Sequence, residues 1–120
     1  MNPLDLPASD CTPAIRFDAA TGVLRLDGES YPEDVVAFYG PVVAWLRQHL
    51  ESTAATLKVQ FALRYLNTSS TKAILDLIGI LDEHHRAGRK VQVEWFYDPA
   101  IEVMRAAGEE MGEDSEVPFS

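Results

Sequence analysis

The chain has 120 residues and an apolar fraction of 47%, which fits one globular domain and argues against disorder. Its formal net charge of −9, from 19 acidic against 10 basic residues, argues against non-specific binding to nucleic acid or anionic lipid. No apolar run reaches the roughly 18 residues that span a bilayer, and a single cysteine, Cys11, leaves no internal disulfide framework.

The start, Met1-Asn2-Pro3-Leu4-Asp5, has neither the basic segment nor the apolar stretch of a signal peptide. A cytoplasmic protein with no membrane insertion is expected. Residues 1–12 read as an extended arm. Ala14-Ile15-Arg16-Phe17 and Gly22-Val23-Leu24-Arg25-Leu26 flank an Asp18-Ala19-Ala20-Thr21 turn and predict a β-hairpin. Asp27-Gly28-Glu29-Ser30 then breaks the pattern. Ser30, with Glu33 three residues later and Pro32 between them, reads as the capping box of a first helix. Val35, Phe38/Tyr39, Val42/Val43, Trp45/Leu46 and Leu50 give that helix one buried face. Gly40-Pro41 predicts a kink, or the loss of the first turns.

Leu57 to Tyr65 alternates with apolar residues at odd positions, the period of a half-buried strand. A polar junction follows, Asn67-Thr68-Ser69-Ser70-Thr71. A second helix then carries Ala73/Ile74, Leu77/Ile78 and Leu81 on one side, and Gly88 supplies a left-handed C-cap. Val91 to Tyr97 is another alternating strand. Asp98 and Pro99 read as cap and first residue of a third helix that Gly108 ends. Residues 109–120 form an acidic tail, with Glu109, Glu110, Glu113, Asp114 and Glu116 on a solvated, partly mobile end. Its last apolar residues, Val117-Pro118-Phe119, are the part able to dock on the body.

The order β-β-α-β-α-β-α predicts an α/β fold in one domain. The hairpin is antiparallel, and the two crossovers through helices favour parallel pairing. The sheet is thus mixed, with four or five strands. Alternation in its long strands places three or four helices mainly on one face.

No enzyme constellation emerges. The chain lacks a glycine-rich phosphate loop, a G-x-S-x-G elbow and an H-E-x-x-H pair. His84 and His85 are adjacent on a helix, about 100° apart, so they do not share a face as metal ligands would. Cys11 has no basic neighbour in sequence to activate it. No catalytic residue, metal or cofactor is expected. What remains is the junction. Asn67 is a natural N-cap, and Thr68, Ser69 and Ser70 make the first helical turn. Four hydroxyls exceed what a cap requires. A phosphate there would bring about −1.5 to −2 charge to the positive end of a helix, beside free backbone N–H groups. Its own protein would tolerate it, and an apolar or acidic docking partner would reject it. The residues alone do not choose among the hydroxyls.

Thr12-Pro13-Ala14-Ile15, Ser30-Tyr31-Pro32-Glu33, Tyr65-Leu66-Asn67-Thr68-Ser69-Ser70 and Trp95-Phe96-Tyr97-Asp98, in that order, resemble the SiaC family of bacterial regulatory phosphoproteins. The resemblance runs from about Thr12 to Phe119, and the Tyr65–Ser70 segment is its most specific part. It implies a STAS-like fold, similar to that of anti-sigma-factor antagonists. In those antagonists an Asp-Ser-Ser-Gly segment opens a helix and its first serine is phosphorylated. Asn67-Thr68-Ser69-Ser70 stands in the matching place, with Thr68 at the acceptor position. Asn for Asp, Thr for Ser and the missing glycine are departures that favour the SiaC-type reading.

The resemblance further implies a non-enzymatic phospho-switch. A partner Ser/Thr protein kinase would phosphorylate Thr68, a PP2C-type phosphatase would reverse this, and ATP and Mg²⁺ would belong to the kinase. The unmodified form would bind and activate a GGDEF diguanylate cyclase, raising cyclic di-GMP and promoting biofilm. The alternative is an anti-sigma-factor antagonist in a partner-switching pathway. The partner-binding surface is expected around Tyr65, Asn67, Ser69, Ser70 and Lys72.

Overall fold

Period-two alternation builds the sheet, and the apolar stripes of three helices close one of its faces. The computed structural model describes residues 4–120. In chain order the elements are β1 (Asp5–Leu6), β2 (Ala14–Asp18), β3 (Val23–Ser30), α1 (Val35–Ser52), β4 (Leu57–Leu66), α2 (Thr68–Arg86), β5 (Val91–Phe96) and α3 (Glu102–Glu113). The sheet is five-stranded in the order β1-β2-β3-β4-β5. β1, β2 and β3 pair antiparallel, and β3, β4 and β5 pair parallel. The fifth strand, β1, comes from the expected arm.

Ile15, Leu24, Leu26, Val59, Phe61, Leu63, Val93 and Trp95 are buried beneath the helices. Tyr39, Val42, Trp45, Leu46 and Leu50 of α1, and Ala73, Ile74, Leu77, Ile78 and Leu81 of α2, meet them. Full burial of each large side chain contributes about 1.5–3 kcal/mol. The alternate strand positions carry a polar face instead. There Lys58 pairs with Glu94 at 3.6 Å and Arg25 with Asp27 at 3.2 Å. This is the one-sided coverage that alternation predicts.

Several local expectations are corrected. Asp27-Gly28-Glu29-Ser30 does not break the hairpin strand but extends it. The register shifts between Gly28 and Glu29, a β-bulge, and Gly28 takes φ +133°, open to glycine alone. Ser30 therefore ends β3 and caps nothing. The N-cap of α1 is Asp34, whose carboxylate accepts the Ala37 N–H at 3.0 Å. The first turns of the helix are also not lost, since α1 spans Val35–Ser52 with Pro41 inside it. Proline removes one hydrogen bond. The residue before it is Gly40, which has no Cβ to clash with the ring, and the buried Val42, Trp45 and Leu46 hold the following turns.

The third helix starts later than expected. Asp98 stabilises a turn, accepting the Ala100 N–H on its side chain at 2.9 Å and the Ile101 N–H on its carbonyl at 2.8 Å. α3 then continues past Gly108, where a Cβ would lie 2.4 Å from the Trp95 ring. Gly108 thus marks close approach of helix and strand, not a helix end.

The five acidic residues of the tail are exposed, as expected, but the tail is not a free end. Glu109, Glu110 and Glu113 lie in α3, and the chain then returns to the sheet. Val93 N–H donates to the Pro118 carbonyl at 2.8 Å, Ser120 N–H to Val93 at 3.0 Å, and Trp95 N–H to Ser120 at 2.8 Å. Asp82 of α2 holds this strap: one carboxylate oxygen accepts the Glu116 and Val117 N–H groups at 2.7 and 2.9 Å. Val117 is buried, as apolar docking of the last residues requires.

Candidate functional site: the start of the second helix

The carboxyl ends of β3, β4 and β5 lie along one edge of the sheet, and the junction leaves that edge. Asn67 N–H donates to the Ser30 carbonyl at 3.1 Å, tying the end of β4 to the end of β3. Its side chain turns forward and accepts the Ser70 N–H at 2.8 Å, the N-cap expected from its sequence position. The Asn67 carbonyl takes the Thr71 N–H at 2.9 Å and the Thr71 hydroxyl at 3.0 Å. Two first-turn donors remain, the N–H groups of Thr68 and Ser69, with no acceptor among the described residues. They are the orphan groups that make a helix start attractive to an anion.

The four hydroxyls separate sharply by environment. Thr68 and Ser69 are exposed, and neither side chain makes a hydrogen bond among the described residues. Among the described residues neither hydroxyl is hydrogen-bonded to a base, the partner a nucleophilic hydroxyl uses. Thr71 is tied to the cap. Ser70, expected on the partner-facing surface, turns inward instead and is wholly buried.

Ser70 completes a hydroxyl cluster that sequence reasoning did not find. Ser30 Oγ donates to Ser70 Oγ at 2.8 Å and lies 2.6 Å from the Tyr39 hydroxyl. Since the one Ser30 proton goes to Ser70, Tyr39 donates to Ser30. Burial pushes the Tyr39 phenol above its ordinary value, and the hydrogen bonds to Ser30 and Ser70 act in the opposite direction. The cluster joins the end of β3, α1 and the start of α2. Its only sequence signal was polar residues at positions that the pattern leaves ambiguous.

Around Thr68 the edge is aromatic. Tyr31 and Tyr65 meet edge to face, with centroids 5.8 Å apart, and Tyr31 donates to the Asp10 carbonyl at 2.6 Å. Tyr31, Tyr65, Phe96 and Tyr97 are each 40–50% exposed, unusual for rings of this size. Lys72 is exposed one turn beyond Thr68 and pairs with Asp76 at 3.8 Å. Beside Ser69 a groove of about 270 Å³ runs between α1 and α2, lined by Val35, Val36, Val43, Ala73 and Asp76. Of the residues singled out from sequence, Tyr65, Asn67, Thr68, Ser69 and Lys72 therefore share one edge. Tyr31 and this groove were missed.

A family model described as the SiaC family regulatory phosphoprotein matches residues 6–120. A protein of Pseudomonas aeruginosa strain UCBPP-PA14 is 38% identical over 120 residues, which span 100% of this chain and 95% of that one. The crystal structure of apo-SiaC from Pseudomonas aeruginosa superposes with a TM-score of 0.93 at 38% identity, covering 100% of this chain and 98% of that one. A second solved structure has the diguanylate cyclase SiaD in complex with its activator SiaC from the same organism. Its similar chain gives a TM-score of 0.92 at 38% identity, with 98% of this chain and 96% of that one covered.

Proposed function

The chain belongs to the SiaC family of regulatory phosphoproteins, and from that premise we propose that it is a phospho-switch acting on a GGDEF diguanylate cyclase. Unmodified, it binds and activates the cyclase. Phosphorylation of Thr68 by a partner Ser/Thr kinase blocks this, and a PP2C-type phosphatase restores it. The chain has no catalytic role of its own in this scheme and works in the cytoplasm.

The observation that carries this reading is the setting of Thr68, and the family resemblance chooses it over the equally exposed Ser69. It is an exposed hydroxyl with no competing hydrogen bond, on the first residue of a 19-residue helix whose leading N–H groups lack acceptors. A phosphate at this end is favoured by the helix dipole. Lys72, four residues on, shares the Thr68 face of the helix, so a phosphate would compete with Asp76 for its ammonium. Ser69 is exposed too, but Ser70 would have to leave a buried cluster to be modified.

The partner surface we propose is the edge holding Tyr65, Asn67, Ser69 and Lys72, extended to Tyr31. Exposed tyrosines are common anchors of interfaces. A dianion beside them repels an acidic partner and adds a desolvation penalty against an apolar one, so the switch needs no refolding. The complex of the similar SiaC with its cyclase supports this client over an anti-sigma factor for the present chain.

Intact-mass measurement after incubation with the kinase encoded nearby tests the first step. One added phosphate is expected on the wild type and none on Thr68→Ala. A phosphate that persists in Thr68→Ala removes Thr68 as the acceptor.

A further inference from the structure

A second groove, of about 400 Å³, lies between α3 and the C-terminal strap. None of its lining belongs to the helix start that carries Thr68. Trp95, Tyr97 and Phe119 line it with aromatic carbon, and Glu109 and Glu113 with carboxylates. Trp95 and Phe119 stack at 6.2 Å and 24°. The Trp95 indole N–H is taken up by the Met104 carbonyl at 2.9 Å and its ring is buried, so Trp95 forms the floor while Tyr97, 45% exposed, and the partly buried Phe119 supply the accessible ring surface. Gly108 and Gly112 let α3 sit directly on the Trp95 and Phe119 rings, with a Cβ at Gly108 falling 2.4 Å from Trp95. A Cβ at Gly112 would stand 3.0 Å from the Phe119 ring.

The charge of the groove is negative. Arg105 is its one cation, and it bonds to both Glu102 and Glu109. Those bonds raise its pKa further, Glu102 contributing most, so it stays a neutralised partner within the helix. Glu113 has no ion pair among the described residues. Aromatic faces beside an uncompensated carboxylate attract a cation. The net charge of −9 adds a field of the same sign.

We propose that this groove docks an arginine-bearing segment of a partner protein. The planar guanidinium stacks on the aromatic wall while its N–H donors reach the Glu113 and Glu109 carboxylates. Arginine fits better than lysine, because it stacks on rings and binds carboxylates through a fork of donors. Of the exposed rings Tyr31, Tyr65, Phe96 and Tyr97, Tyr97 alone lines the groove and Thr68 does not, so the phosphate of the switch stands outside it.

The test uses the full ¹⁵N-labelled chain and two capped tripeptides, Gly-Arg-Gly and Gly-Glu-Gly, in titrations followed at the Trp95 indole and the Gly108 and Gly112 amides. The arginine peptide is expected to give saturable shifts at all three, and the glutamate peptide none. Glu113→Gln, an exposed substitution, should weaken the arginine peptide about fivefold or more, as loss of a charge-assisted bond implies. Three outcomes overturn the proposal: no saturable shift at these positions, equal shifts with both peptides, or unchanged affinity in Glu113→Gln. Shifts that follow protein concentration without any peptide assign the groove to a second copy of the chain, and also overturn it.

Discussion

Ser30 Oγ donates a hydrogen bond to Ser70 Oγ at 2.8 Å, joining the last residue of β3 to the first turn of α2 across 40 residues of sequence. This bond fixes the turn on which Thr68 stands. Ser70→Ala leaves the buried Ser30 hydroxyl without its acceptor, an expected loss of about 1–3 kcal/mol in urea unfolding. Phosphorylation at Thr68 should survive, because the acceptor itself is untouched. A mutant that folds but loses all phosphate would move the acceptor to Ser70.

Asn67 supplies the helix cap, so Asn67→Ala should cost about 1 kcal/mol and Asn67→Asp far less. Aspartate keeps the acceptor and adds charge of the favourable sign for a helix start. Denaturation midpoints of the two variants, measured side by side, check the order. Equal losses would mean that the bond to the Ser70 N–H contributes nothing.

His49 carries a pH dependence. It is buried between Phe17 and Trp45, and lies flat on the Trp45 ring with centroids 4.9 Å apart. Burial, and then the charge of Arg89, push its pKa below the ordinary 6.5. The unfolded chain therefore takes up a proton more readily than the folded one. Its stabilising contribution is complete above pH 6.5 and is lost as pH falls below that value through the lower folded pKa. Urea midpoints should drop between pH 7.5 and 5, and drop less in His49→Phe. Identical slopes for the two proteins would remove His49 as the cause.

Asp82 latches the C-terminal strap, so Asp82→Ala should strand the buried Val117 N–H and cost about 1–3 kcal/mol. Hydrogen exchange should quicken at Val117 and Ser120 while the amides of Ser70 and Thr71 keep their protection. Uniform quickening would mean global destabilisation, with no separate latch.

The junction was legible because two local signals meet there. Period-two alternation ends at Leu66, period 3.6 begins after it, and Asn67 has the side chain a cap needs. The choice of Asn67 and Gly88 as the ends of α2 rests on single-residue chemistry, and the observed φ of +95° at Gly88 agrees. Other features depend on contacts between distant segments. Gly28 read as a breaker because its role, a positive φ where the register shifts against β4, exists only once the strands pair. Gly108 read as a helix end because the Trp95 ring that requires it is 13 residues away. The tail read as a free end from its five carboxylates, which are indeed exposed, while its course is set by backbone bonds to Val93, Trp95 and Asp82. The cluster of Ser30, Tyr39 and Ser70 was hidden for the same reason, and it divides the junction into accessible and inaccessible hydroxyls.

One phosphate on Thr68 is expected to turn cyclase binding off. Affinity for the partner cyclase, measured for the unmodified protein and for protein phosphorylated on Thr68 alone, tests it most directly. Tight binding is expected for the first and a loss of at least about tenfold, or 1.4 kcal/mol, for the second. Equal affinity of the two forms would contradict it.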